Sequence, residues 1–450
     1  MRTLASMLAL SLFAGCGDSG SNNNTPDARP SGGVDAAGGG NLVDVPAGDI
    51  TASTTWTADN IYTLRGQVFV TGGTLTIEAG TVIQGDPGSV LVITAGAQLN
   101  AVGTAAAPIV FTSSQMIPSA GDWGGVVLLG RAPINVTGGT NLVEGFPEAT
   151  GTKVEYGGAV AAHNCGTLRY ARFEYAGFEL STDNELNALT VAGCGSDTEI
   201  DFVQMHQGLD DGIEFFGGTA SATHLVISQP GDDGVDWDLG WTGKLQFVIV
   251  QQKNGDGNNA IEADSNKNNN DALPRSAPEV WNYTFIGGDG VSADKSGGMH
   301  LRRGTAGKLS NGIVAYFPTY AIDIDGSSSV AQFESTALSI EHTFFVKSAA
   351  TEVWPTNFDV DAATTMQNDC VADVCFDEAT EIGAAPTNHM GVDPMLTAAK
   401  NLDAPNWAPM AASPVMSGCG TPPAGLDTSA TFCGAVGATD WTAGWTSFPE

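Results

Sequence analysis

Positive charge is scarce in this chain. Seventeen Lys and Arg stand against fifty Asp and Glu in 450 residues, a formal charge of −33. A surface of that sign repels phosphate backbones and anionic membrane faces, which argues against nucleic acid as a partner and suits cations, cationic polymers or a saline exterior. Charged residues of either sign make up only 15% of the chain while glycine occurs 58 times, a balance that favours tight turns around uncharged strands. Helical periodicity of useful length is missing too. So are Cys-X-X-Cys and zinc-type Cys/His spacings, nucleotide-binding glycine loops, Gly-X-Ser-X-Gly, His-Glu-X-X-His and heptads.

The one notable apolar run lies at the start, "MRTLASMLALSLFAGC", with Arg2, an apolar stretch from Leu4 to Phe13, then Ala14-Gly15-Cys16. It is too short to span a bilayer and predicts a removed signal peptide over 1–16. "LFAGC" resembles a bacterial lipobox, which implies cleavage before Cys16, lipidation of its thiol and a lipid anchor in the outer membrane or at the cell surface. Several acyl chains on one residue give stable anchoring. Residues 17–42, rich in Gly, Ser, Asn and Asp, read as a flexible tether holding the folded part off the membrane.

Six further cysteines are an even number, as expected for disulfides in an exported chain, and they allow fifteen connectivities. Proximity favours Cys370 with Cys375 and Cys419 with Cys433, leaving Cys165 with Cys194.

"GLDDGIEFFGG" at 208–218 is echoed by "GDDGVDWDLG" at 231–240. Both belong to a longer series: Ala188–Val191, Gly212–Phe215, Gly234–Trp237, Ala260–Ala263, Gly298–Leu301 and Ala321–Ile324, at steps of 24, 22, 26, 38 and 23 residues. A second series of short apolar strands interleaves with it, including "FVQM" at 202–205, "LVIS" at 225–228 and "FVIV" at 247–250. Two or three strands per 22–26 residues is the period of a parallel β-helix coil, which buries its inward side chains only when neighbours stack on it. The expected organisation is all-β: a right-handed parallel β-helix over 43–350, then C-terminal coils and a disulfide-containing cap over 351–450.

The stretch "TLTIEAGTVI" through "APIVF" resembles the opening coils of bacterial right-handed β-helix proteins. With "DWGGVVLLGRAPIN", "DDGIEFFGG" and the ending "FCGAVGATDWTAGWTSFPE", the chain resembles a widespread group of bacterial surface β-helix lipoproteins without an assigned activity. The resemblance implies fold and says little about function.

Alternation along a strand points Ile213, Phe215, Val235 and Trp237 inward and Glu214 and Asp236 outward, one coil apart. The same register adds Glu262 and, further along, His300 and Asp323. Like charges stacked at about 5 Å repel by roughly 1 kcal/mol in water and more in protein. They can share protons, splay into solvent, or hold a hard cation. Calcium is the expected cofactor, with Asp210, Asp211, Asp233 and Asp236 as metal ligands. The alternative stays open that Asp-Asp-Gly is turn chemistry, with each Asp oxygen accepting its own backbone amides.

Three functional readings follow. "GDDGVD" resembles the Gly-Asp-Asp phrase of polygalacturonase-type hydrolases, which implies Asp232 and Asp233 as acid and base with Asp211 or Glu214 as third carboxylate; that family's Gly-His-Gly and Arg-Ile-Lys phrases are missing here. A calcium-dependent lyase would hold the metal on Asp211, Asp233 and Asp236 and use Lys295, Arg302 or Arg303 as base. The third, and favoured, is a non-catalytic binding or structural module whose acidic face over Glu214, Asp236, Asp238, Glu262, His300 and Arg302 takes a cation or polysaccharide. Trp241 and Phe216, at strand exits, would stack on sugar rings.

Overall fold

The computed structural model describes residues 40–181, 184–290, 297–346 and 376–450. The expected leader, Cys16, nearly all of the tether, Lys295, Cys370 and Cys375 lie outside the described residues. Among the described residues no helix is long and apolar enough to cross a membrane.

The short strands of the first series form one ten-stranded parallel sheet. In order they are Gly48–Ile50, Gln67–Val70, Val90–Ile93, Val126–Leu129, Leu189–Ala192, Ile213–Phe216, Val235–Asp238, Asn259–Ala263, Gly297–Leu301 and Tyr320–Ile324. Each marks one coil of a right-handed parallel β-helix, and the site described below lies on the outer face of this sheet. Ile213, Val235, Ile261, Met299 and Ile322 stack in register, as do Thr190, Glu214, Asp236, Glu262, His300 and Asp323. The first row is buried in the core and the second faces outward, as alternation requires.

The second series lies in a fifteen-stranded sheet that wraps the other sides. Its early coils use separate strands, for example Ala97–Val102 and Ile109–Ser113. From Gly166–Glu174 onward one long strand spans both flanks: Gly166–Arg169 pair with Leu99–Val102, and Ala171–Phe173 pair with Ile109–Phe111. Between the two halves sits Tyr170, with φ of 47°. The same bend recurs at Phe202, His224, Phe247, Asn282, Asn311 and His342, all with positive φ and none of them glycine. A left-handed residue at this corner turns the strand without breaking its pairing, and stacking fixes a conformation that costs about 1 kcal/mol or more. Tyr170, Phe202, His224 and Phe247 stack their rings at 4.4, 4.1 and 4.8 Å.

The small residue that opens each site strand has a steric cause. A Cβ at Gly212 would sit 2.5 Å from Ile227 Cγ2, and one at Gly234 2.5 Å from Val250 Cγ1. Inward branched side chains of the long strands fill the space a side chain would need.

Two disulfides are formed, Cys165–Cys194 and Cys419–Cys433. The first ties the end of an insertion over residues 131–163 to the coil that follows it.

The C-terminal region divides into two parts. Residues 376–391 close the end of the solenoid: Glu378 Oε1 accepts the amide of Ile324 in the last site strand, and His389–Met390 pair with the last long strand. The segment 395–450 instead runs back along the flank of the long-strand sheet. Trp407, Val415, Cys433 and Trp445 pack on the outward apolar residues Val226, Ile249, Ile286, Ile313 and Phe344. Side-chain amides act as backbone partners for this strap. Asn311 donates to Gly420 O and accepts its N–H at 2.8 and 2.7 Å, and Gln204 does the same with Ser447 at 2.6 and 2.9 Å.

Candidate functional site

The outward acids do not stand in open solvent. The insertion over 131–157 covers the outer face of the early coils, where Phe69, Val92 and Val127 occupy the ladder row and pack with Ile134, Val143 and Tyr156. Where the row turns acidic, at Glu214, a cleft of about 340 Å³ opens. Glu214, Asp236 and Glu262 form its floor. Glu144 and Tyr156 face them from the insertion, and Asp264, Lys267, Arg302 and Arg303 close the opposite side.

Asp211 and Asp233 lie one row earlier, under the turns, at 6% and 2% exposure. Asp211 Oδ1 accepts the amide of Asp233 at 2.9 Å, and Asp233 Oδ1 accepts that of Asn259. The turn role expected for Asp-Asp-Gly is therefore carried from coil to coil, not within each turn, because the unpaired amide nearest each carboxylate belongs to its neighbour. This corrects the hydrolase assignment for Asp211 and Asp233: both are enclosed, and both spend an oxygen on backbone. Asp210 and Asp232 remain half-buried at the turn surface.

Burial, then neighbouring acids, sets the titration of this group. Asp211 and Asp236 hold protons well above the usual carboxylate range because they are desolvated and face other carboxylates; Glu214 does so too, although Asn187 Nδ2 donates to its Oε2 at 2.6 Å. Asp233 and Asp238 are raised chiefly by burial. Asp264 is raised to about 7 by burial, despite Arg302 Nε at 2.8 Å and a second contact from Arg303. Burial works against the charge on His300, but Asp325 and Asp323 raise it above its ordinary value. Burial and Arg303 lower Arg302, which also binds Glu262.

Two groups of oxygens converge closely enough for one cation. Asp210, Asp211 and Asp232 each place one within 4.8 Å of the others, as do Asp211, Glu214 and Asp236. In the second group Asp236 Oδ1 is buried without a hydrogen-bond partner among the described residues, and so is Oδ1 of the adjoining Asn187. An orphaned carboxylate oxygen in a desolvated site is costly unless a proton or cation meets it. Hard oxygen ligands of this kind fit calcium.

The structure thus brings together Glu214, Asp236, Asp238, Glu262 and Arg302. His300 stands behind them, its nitrogens 3.8 Å from Glu262 and 3.7 Å from Asp323. Trp241 is not among them. It is fully buried, stacks on Phe215 at 4.3 Å and donates its indole N–H to Ala220 O, so the expectation of an exposed sugar platform is corrected. The turn after Asp238 folds it back inward instead of outward. Phe216 does line the cleft. Sequence reading missed Asp264, although it follows Glu262 by two and so shares its outward phase. Glu144 and Tyr156 carried no signal, because only the fold lays the insertion over the ladder.

The pectate-lyase-like β-helix domain matches residues 48–446, nearly the whole described chain. The chain belongs to this family. No curated protein and no solved structure matches it. Membership covers every strand of the cleft and accords with a carbohydrate-related role for this pectate-lyase-like β-helix.

Proposed function

We propose that the protein is a lipid-anchored surface module that binds calcium in the acidic cleft and, through the ion and the cleft walls, a glycan, without cleaving it. One observation carries the reading: the buried, partnerless Oδ1 of Asp236 beside oxygens of Asp211 and Glu214. A calcium ion would satisfy it, relieve the repulsion among the three acids and leave coordination positions for sugar hydroxyl or carboxylate oxygens. Calorimetric titration of calcium into the chelator-treated protein tests this. Heat and a raised melting temperature are expected for the wild type, and neither for Asp236→Asn. Identical melting with calcium and with chelator would sink the proposal.

A calcium-dependent lyase is the second reading, favoured by Arg302, whose pKa is lowered by burial and by Arg303 in the same cleft. With calcium neutralising a uronate carboxylate, Arg302 in its neutral form would take the proton from the adjacent carbon, the double bond would form as the glycosidic carbon–oxygen bond breaks, and water would protonate the departing oxygen. Against it, Glu262 and Asp264 both engage the guanidinium and hold its proton in place. An unsaturated, ultraviolet-absorbing product from a uronate polymer, abolished in Arg302→Gln and in chelator, would establish the lyase over the binding module.

A further inference from the structure

A second cavity, of about 480 Å³, lies on the other side of the insertion. It opens beside Thr71 and Thr94, which directly follow the second and third site strands, and the insertion contributes Arg131, Thr140, Thr152 and Lys153. Two cationic side chains line it with one carboxylate, Glu155, whereas the acidic cleft sets Lys267, Arg302 and Arg303 against six carboxylates.

The two cations differ in freedom. Lys153 is fixed: its Nζ lies 2.6 and 2.8 Å from the two oxygens of Asp49 and 5.2 Å above the ring of Phe69. Arg131 is exposed and forms no ion pair among the described residues, so its five donors remain available. Thr94 donates its hydroxyl proton to Val70 O at 3.0 Å and keeps its lone pairs for a ligand. The hydroxyls of Thr140 and Thr152 take no partner among the described residues. An unengaged guanidinium flanked by hydroxyl groups matches a sugar ring that carries an anionic substituent, since the fork reads a planar or tetrahedral oxyanion while hydroxyls meet hydroxyls.

Position links this cavity to the acidic cleft. Both open at the exit ends of strands in the same sheet. From the third strand to the sixth, where Phe216 enters the cleft, the distance is three coils, roughly 14 Å along the axis at the usual strand spacing. An extended glycan along the insertion could touch both. A polyanion approaching a chain of charge −33 is repelled, and the guanidinium of Arg131, without an ion-pair partner among the described residues, offsets that locally.

We infer that the Arg131–Lys153 cavity is an anion subsite for a sugar residue bearing a carboxylate or sulfate; the glycan as ligand rests on the function proposed above, whereas the anion site rests on this cavity alone. The test is calorimetric binding of three probes to the full-length protein in chelator: a uronate oligosaccharide, a sulfated oligosaccharide and a neutral one. Wild type should bind one of the two anionic probes, and which one identifies the substituent. Arg131→Gln, at an exposed position where melting should be unchanged, should weaken that binding about tenfold, the worth of one charge-assisted hydrogen bond, and leave any binding of the neutral probe unaltered. Equal affinity in wild type and Arg131→Gln, or no anionic binding in chelator, overturns the inference. A calcium titration of the same samples separates the two proposals. Calcium uptake with no Arg131 dependence removes only the subsite, and Arg131 dependence without calcium uptake removes only the cation site.

Discussion

The carboxylate of Asp211 accepts the backbone N–H of Asp233, one coil further along, at 2.9 Å. Asp233 repeats the contact to Asn259. The repeated acids are thus partly a hydrogen-bond relay between coils and partly, through Asp211, the inner edge of the cation-binding group. Substitutions can divide these roles. Asp211→Ala leaves a buried amide unpaired and should cost about 1–3 kcal/mol in urea unfolding. Asp211→Asn keeps an acceptor oxygen and should retain most of that stability while losing calcium affinity. Equal destabilisation by both variants would place the carboxylate charge, not the acceptor, at the centre of the coil-to-coil contact.

The pH dependence has a definite sign. Asp211, Glu214, Asp233 and Asp236 bind protons more tightly folded than unfolded, mainly through burial. The calcium-free fold therefore carries more protons than the unfolded chain and loses stability as pH rises from the usual carboxylate range through the folded values. Asp264, at about 7, extends that window to neutrality. His300, raised above its ordinary value, acts in the same direction, its contribution lost as pH climbs through the folded value. His206 opposes them: lowered from 6.5 to about 4 by burial under the strap, it adds stability as pH rises between those values. Above 6.5 its contribution is constant. In chelator the melting temperature should fall from there to about pH 8, less steeply in Asp236→Asn, and calcium should oppose the fall by competing with protons. A flat profile in chelator would contradict the buried-acid account.

Trp241 is expected to matter for folding and not for ligand. Removing a fully buried indole stacked on Phe215 should cost about 3–5 kcal/mol. Phe216→Ala, at the cleft, should cost less and weaken glycan retention on an affinity column instead. If Trp241→Ala folded normally and lost only ligand, the packing described here would be wrong.

The strap offers a separable test at Asn311, whose φ is 58°. Asn311→Ala removes both hydrogen bonds to Gly420 and places a Cβ residue in a backbone region that disfavours it; Asn311→Gly removes the bonds alone. Limited proteolysis of the native protein should release the 395–450 segment faster in both variants, with Ala the more susceptible. Equal resistance to wild type would show that apolar packing of Trp407 and Trp445 holds the strap by itself.

Much of the solenoid was legible because its constraints are local and periodic. Inward and outward phases at Ile213-Glu214-Phe215 follow from strand alternation, and the steps between small residues give the coil length. Cys419–Cys433 followed from proximity, and Cys165–Cys194 was the pair that remained. The strap was not legible as such: apolar Val226 and Ile249 on the outer face of long strands look like core residues until the chain returns from far away to cover them. The left-handed corners at Tyr170 and Phe202 were equally hidden, since side-chain type there does not announce a positive φ.

For the site the division is similar. The sequence by itself determined that Glu214, Asp236 and Glu262 form one outward row, since that is a matter of register. Only the tertiary structure decided that the row is a cleft floor, because the 131–157 insertion is laid across it by contacts far apart in sequence. The tertiary structure also brought Arg302 from the next coil onto Glu262 and Asp264, and turned Trp241 into the core. Periodicity specifies which residues share a face; what covers that face depends on long-range packing, which no local spacing records.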